Sequence, residues 1–238
     1  MRGNSVKNSS SFIPDTPSDT GLTYPESPAA RSHWIIGQRG QKNTLDPSRP
    51  YAWLLEKERD DDGSLVDWLT IFLTNKECPW RCLMCDLWQN TLDETVPAGA
   101  IAGQIDFAIG QAERECGGLA KLRNVKLYNA GSFFDIKAIP KAEDAAIATR
   151  LAKFNRVIVE CHPALVGDRC LQFRDRLSCQ LEVALGLETV HPEALQKLNK
   201  RVTLDQFRAA AELVTQNGMA LRAFVLLQPP FIPPEEAV

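Results

Sequence analysis

The sequence is short of most features that would assign a compartment or a partner by inspection. It has no run of eighteen apolar residues and no basic start leading into an apolar stretch, so neither a transmembrane helix nor a secretory signal can be read from it. The expected location is therefore the cytoplasm, with no membrane partner. It has no basic surplus: 27 Lys and Arg stand against 30 Asp and Glu, a formal charge of -3, which argues against a broad phosphate-binding face. Nor is there a disulfide framework, because the seven cysteines are odd in number and mostly isolated. What is present is apolar material, 44% of 238 residues, enough for one sizeable core.

Three of the cysteines are not isolated. Glu77-Cys78-Pro79-Trp80-Arg81-Cys82-Leu83-Met84-Cys85 sets thiols in a C-x3-C-x2-C spacing just after Trp68-Leu69-Thr70-Ile71-Phe72-Leu73, a nearly continuous apolar run that reads as a buried strand. Three thiols this close cannot converge from a strand or a regular helix, so the segment is a loop wrapped around something that thiolates bind. Soft sulfur ligands select zinc or iron–sulfur clusters. Both usually take four protein ligands. Here no second pair follows: the next cysteine is Cys116, at the end of a predicted helix, and the nearest downstream histidine is His162. A three-thiolate loop without a fourth partner suggests a metal centre with one position open for chemistry. The alternative is a zinc- or cluster-stabilised binding protein in which the cysteines are only structural.

In chain order, residues 1–32 carry Ser9-Ser10-Ser11, Pro14, Pro17, Pro25 and Pro28 among few large apolar groups and are expected to be a disordered tail. Residues 33–65 form an N-terminal extension; 33–46 show no clean period, while Tyr51–Glu58 reads as a strand turned by Asp60-Asp61-Asp62-Gly63 into Val66–Thr74. Residues 66–238 form the core. Helical spacing runs from Pro97 to Glu115, with Pro97 in the first turn and Gly117-Gly118 as the stop. Strands then alternate with helices: Val125–Asn129, helix Glu143–Phe154, strand Arg156–Glu160, helix Gly167–Arg176, strand Gln180–Gly186, helices Pro192–Leu198 and Leu204–Asn217, and strand Leu221–Leu227, with Gly218 as a helix stop. Such alternation predicts an α/β fold with a parallel sheet and five strand–helix steps. In folds of this kind ligands gather at the carboxyl ends of the strands. The cysteine loop, Gly131-Ser132, Glu160, Glu188 and Pro229-Pro230 all fall at or beyond such ends.

A C-x3-C-x2-C loop after the first strand resembles the radical S-adenosylmethionine (radical SAM) superfamily. The resemblance implies a partial (β/α)6 barrel, here expected to lack its last strand. It implies that Cys78, Cys82 and Cys85 hold a [4Fe–4S] cluster, that SAM chelates the fourth iron, and that a flavodoxin- or ferredoxin-like partner supplies an electron. Reductive cleavage of SAM would then give methionine and a 5′-deoxyadenosyl radical that takes a hydrogen atom from substrate. Position by position, Met84 stands where an aromatic residue often touches the adenine, and a thioether can make a comparable contact. Gly131-Ser132 matches the turn whose backbone meets the methionine part of SAM. Glu160, in Glu160-Cys161-His162-Pro163, resembles the acid that accepts from the ribose hydroxyls in the branch related to oxygen-independent coproporphyrinogen oxidase. Neighbours on a strand face opposite ways, so Cys161 and His162 cannot easily both serve one site.

Glu188, in Glu182-Val183-Ala184-Leu185-Gly186-Leu187-Glu188, occupies the SAM-contacting position of the branch that includes the Elongator catalytic subunit and the methylthiotransferases. Lys200, in Leu198-Asn199-Lys200-Arg201, resembles a basic residue that reaches the SAM carboxylate. Together with Ala130-Gly131-Ser132-Phe133-Phe134-Asp135 and Leu226-Leu227-Gln228-Pro229-Pro230-Phe231, these stretches are most similar to the radical SAM subunit of archaeosine synthase and its bacterial relatives. That narrower resemblance implies a modified deazaguanine base in tRNA as the substrate class, although the sequence shows no basic stripe to hold RNA.

Overall fold

A computed structural model describes residues 23–60, 62–117 and 122–236; most of the expected N-terminal tail, residues 1–22, lies outside the described residues, as does Gly118. Six strands form one sheet in chain order: β1 (Ala52–Arg59), β2 (Leu65–Leu73), β3 (Asn124–Asn129), β4 (Arg156–Cys161), β5 (Gln180–Glu188) and β6 (Ala220–Val225). The first pair is an antiparallel hairpin, closed by Asp60 N–H to Ser64 O at 2.8 Å and by Gly63 at φ +83°. The strands β2 to β6 are all parallel, which gives the five parallel strands expected; helices follow the first four of them, and among the described residues no α-helix follows β6. This is a mixed α/β, partial-barrel arrangement with β1 and β6 at its edges.

Alternation along the strands separates two faces. Leu69, Ile71 and Leu73 of β2, Val125 and Leu127 of β3, Val157 and Val159 of β4, and Leu181, Val183 and Leu185 of β5 point one way into the main core. Helix α2 (Ala100–Cys116) covers them with Ile101, Ile105, Ala108, Ile109 and Ala112, residues spaced to fall on one side of a helix. Helices α3 (Asp144–Leu151), α4 (Asp168–Arg174), α5 (Pro192–Lys197) and α6 (Leu204–Gln216) complete the crossovers. The start of α6 is fixed by a capping box in which Thr203 Oγ1 accepts from Gln206 N–H and the Gln206 side chain accepts from Thr203 N–H. On the opposite face Lys126 is buried between Glu56 and Glu58, and Arg222 and Arg156 bridge to Glu182. Charges on this face are thus neutralised in place near the amino ends of the parallel strands.

Several element boundaries differ from the sequence reading, among them these four. Helix α1 (Pro28–Gly37) crosses the expected tail boundary at residue 32, because Ser27 caps it and Pro28 pre-sets its first turn. Pro97 lies outside α2: Gly99 at φ +82° turns the chain first, and Ala100 begins the helix. β5 runs two residues beyond Gly186, to Glu188, through a bulge. β6 ends at Val225 rather than Leu227.

Candidate active site

The strand β2 delivers the chain to a loop without regular structure from Thr74 to Asp86, and the cysteines lie on it. Its entry is held by the buried Gln104 of α2, whose amide accepts from Thr74 N–H at 2.8 Å and donates to Thr74 O and Pro47 O. Glu77 is the next anchor, surrounded by Arg39 at 2.7 Å, Lys42 at 3.0 Å and Arg81 at 3.2 Å. Arg81 also reaches back to the carbonyls of Cys78 and Trp80, and Leu83 N–H donates to Leu198 O at 2.9 Å. A loop of three thiols is therefore shaped by cations and backbone contacts rather than by a disulfide, and no disulfide joins any of the seven cysteines.

The thiols of Cys78, Cys82 and Cys85 lie close enough to interact electrostatically with one another. Burial, and next the neighbouring Cys85, pushes Cys78 up to about 11; burial pushes Cys82 up to about 12 against the pull of Lys200. Burial raises Cys85 too, opposed by backbone contacts from Leu87 and Trp88. Across the loop, Gly131 at φ +138° presses against Cys78: a Cβ there would lie 2.7 Å from the Cys78 Cβ. Only glycine fits that approach.

Beside the loop, the ends of β4 and β5 bring three charged residues together. Glu188 closes β5 after the bulge with φ +68°, and its carboxylate is paired with the ammonium of Lys200, both side chains largely buried. The Lys200 turn is equally unusual, with Asn199 at φ +57° and Arg201 at φ +60° on either side. Three non-glycine residues in left-handed backbone within one cluster mark stored strain of the kind that gathers at functional sites. Gly186 leaves the space for this pair, since a Cβ on it would collide with both the Lys200 Nζ and the Glu188 Oε1. Glu160 is the penultimate residue of β4, accepting from Asn129 N–H at 3.3 Å, and burial lifts it to about 7. Lys200 pulls Glu160 down and Glu188 pushes it up, so one ammonium serves two carboxylates. A cluster with one acid in excess is matched to a ligand that donates hydrogen bonds or carries positive charge.

The remaining expected positions divide. Met84 is half-buried in the loop between Leu83, which is tied to Leu198, and Cys85. Ser132 is fully buried and its hydroxyl is spent within the protein, on Cys161 Sγ at 3.4 Å and on His162 N–H at 3.2 Å. Its side chain thus latches β3 to β4, and only its backbone and that of Gly131 remain to meet a ligand. Cys161 faces the core and His162 stacks on Trp80, so neither joins the three thiols.

Several contributors were not legible beforehand. Tyr51 precedes β1, with its ring 5.6 Å from Phe72, and its phenol is raised by burial and then by Glu160, Asp86 and Cys85, which places it beside the site. Segment 24–43 wraps the loops: Tyr24 donates to Lys197 O at 2.6 Å, Arg31 to Gln196 O at 2.8 Å, and Asn43 N–H to Gln89 O at 2.9 Å. Residues that build a site through backbone carbonyls leave no motif to find.

The donor set can be tested against a cluster. Among the described residues no three His, Cys, Asp or Glu side chains converge as a single metal ion would require. The corners of an iron–sulfur cubane are separate irons, so its thiolates need only surround it. Three thiols, no neighbouring fourth cysteine and a glycine wall fit that group in type and number. Coordination would deprotonate thiols that burial otherwise keeps neutral.

No family model matches the chain. It is similar to an uncharacterized protein of Methanocaldococcus jannaschii, 28% identical over 83% of this chain and 56% of that one. It is also similar to archaeosine synthase subunit beta of Methanosarcina acetivorans, 26% identical over 74% of this chain and 53% of that one. The chain thus spans about half the length of these curated relatives. In fold it is similar to TsrM of Kitasatospora setae, a radical S-adenosylmethionine methyltransferase whose structure holds cobalamin and a [4Fe-4S] cluster, with a TM-score of 0.51, 16% identity and coverage of 70% of this chain and 32% of that one. No helix among the described residues is long and apolar enough to cross a membrane.

Proposed function

We propose, for a chain that shares the radical SAM fold and is related to archaeosine synthase subunit beta, that it is a radical SAM enzyme whose cluster is held by Cys78, Cys82 and Cys85. The observation that carries this reading is the meeting of two independent features at one end of the sheet: the three-thiol loop, and the strained Glu188–Lys200 pair with Glu160 beside it. A structural metal site needs the first and has no use for the second. When bound, such a cluster supplies the electron that cleaves SAM and so starts radical chemistry on a substrate.

This chain's own residues would do the binding and orienting. Glu160 would accept from the vicinal ribose hydroxyls, and that would draw its raised carboxyl back toward the ionised form. Lys200 and Glu188 could separate to meet the carboxylate and the amino group of the methionine part, exchanging an internal ion pair for one external ion pair and a hydrogen bond from the amino N–H. The backbone of Gly131 and Ser132 borders the same space, and Met84 would supply an apolar contact for the adenine. The electron comes from a flavodoxin- or ferredoxin-like partner in the cytoplasm. The name borne by the Methanosarcina acetivorans relative supports a modified base in tRNA as the substrate.

The test is anaerobic reconstitution with iron and sulfide, then reductant and SAM, with 5′-deoxyadenosine measured with and without tRNA or candidate nucleosides. The reading expects a brown protein that forms 5′-deoxyadenosine. A colourless, zinc-loaded protein that leaves SAM intact would sink it.

A further inference from the structure

His162 belongs to neither the thiol loop nor the charged cluster, yet it touches both. It follows β4 directly, is buried, and spends both ring nitrogens on backbone. Nδ1 accepts from Ala164 N–H at 3.2 Å, so Nε2 carries the proton and donates to the Lys200 carbonyl at 3.0 Å, the tautomer being assigned from these partners. The ring lies flat on the Trp80 indole, with centroids 3.8 Å apart and planes 10° apart. Trp80 sits between Cys78 and Cys82 on the cysteine loop.

We propose that His162 is a positioning residue that joins the turn carrying Lys200 to the loop carrying the cysteines. The turn needs such an anchor, because Asn199 and Arg201 hold left-handed backbone that relaxes when its contacts are lost. Asn199 Nδ2 supplies a second tie to the same loop, donating to Arg81 O at 2.8 Å. With the Leu83 N–H to Leu198 O bond, these contacts make the two segments one unit across the mouth of β4 and β5. Burial also lowers His162 to about 4, which keeps the ring neutral and the Nε2–H tautomer in place near neutral pH. The consequence for the cofactor rests on the role proposed above for Lys200, whereas the mechanical joint does not.

Two substitutions separate the two halves of the joint. His162→Phe keeps a flat ring on Trp80 and removes the donor to Lys200; His162→Gln keeps a donor and removes the ring. Hydrogen exchange by mass spectrometry on the metal-free protein reads each half, with β2 and β3 as internal controls for folding. We expect His162→Phe to speed exchange in 198–203 by roughly 3- to 10-fold, the effect of one lost hydrogen bond, while 78–85 changes little. His162→Gln should do the reverse. In reconstituted protein, His162→Phe should keep its iron and weaken SAM binding by a similar factor. Wild-type exchange in both segments for both variants, or a uniform rise that includes β2 and β3, would overturn the joint. Faster exchange in 198–203 with unchanged SAM affinity would support the joint and remove Lys200 from the cofactor.

Discussion

Glu160→Gln gives the sharpest test of the electrostatics at the strand ends, because it needs neither cluster nor substrate. Burial lifts the folded-state Glu160 from an ordinary 4.5 to about 7. A group raised in the folded state adds stability below its unfolded value and loses it as pH rises through the folded one; the loss here runs from 4.5 to about 7 and then levels off. The shift corresponds to roughly 3 kcal/mol of destabilisation once the carboxyl is ionised in the folded chain. Glutamine imitates the protonated acid and keeps an oxygen for Asn129 N–H. Urea unfolding of metal-free protein should therefore find the variant close to wild type at about pH 5 and more stable by up to about 3 kcal/mol at about pH 8. A difference independent of pH, or one that favours wild type as pH rises, would refute the reasoning. If the vicinal hydroxyls of SAM donate to Glu160, saturating SAM should flatten this dependence in the wild-type holoprotein.

The remaining predictions concern cluster and cofactor separately. Alanine at Cys78, Cys82 or Cys85 should each abolish iron binding, whereas alanine at Cys116, Cys170 or Cys179 should leave iron per chain unchanged; loss of iron in Cys116→Ala would replace the three-ligand account with a four-cysteine one. Gly131→Ala should cost about 1–3 kcal/mol from its φ of +138° and disturb the cluster by pushing on Cys78, seen as lower iron retention against a chelator. Gly186→Ala should leave thermal stability the same or higher, since alanine is favoured over glycine in a strand by roughly 0.5–1 kcal/mol. It should nevertheless weaken SAM binding by displacing the Glu188–Lys200 pair. Glu188→Ala and Lys200→Ala should each weaken SAM binding about ten- to a hundredfold with iron retained, as calorimetric titration would show.

The elements legible in the sequence were those whose signal is periodic. β2, β3, β4 and β5 were readable from buried apolar runs and α2 from its single apolar side, because both patterns are imposed by one continuous core. Helix α1 was not readable, since its buried Arg31 and Ile35 are few and its anchor is a guanidinium bound to Gln196 O. At the candidate site, the thiols and Glu188 could be singled out by residue type and strand-end position, but what surrounds them could not. The internal pairing of Glu188 with Lys200 depends on a bulge and three left-handed residues, which no local pattern announces. Ser132 shows what a turn motif leaves open: the sequence marks its backbone as a ligand contact, and only tertiary packing shows that its hydroxyl is directed to Cys161 and His162. Tyr51 and Trp80 enter the site through cross-strand and stacking contacts, so only the folded chain shows them there.

The central claim is that three thiolates hold a cluster with an iron open to SAM. Electron paramagnetic resonance of the anaerobically reconstituted, reduced protein tests it most directly, measured before and after adding SAM alongside iron analysis. The account predicts roughly four irons per chain, a reduced-cluster signal whose shape changes on adding SAM, and loss of that change in Glu188→Ala with the signal itself retained. A signal indifferent to SAM, or a protein that binds one zinc and no iron, would contradict it.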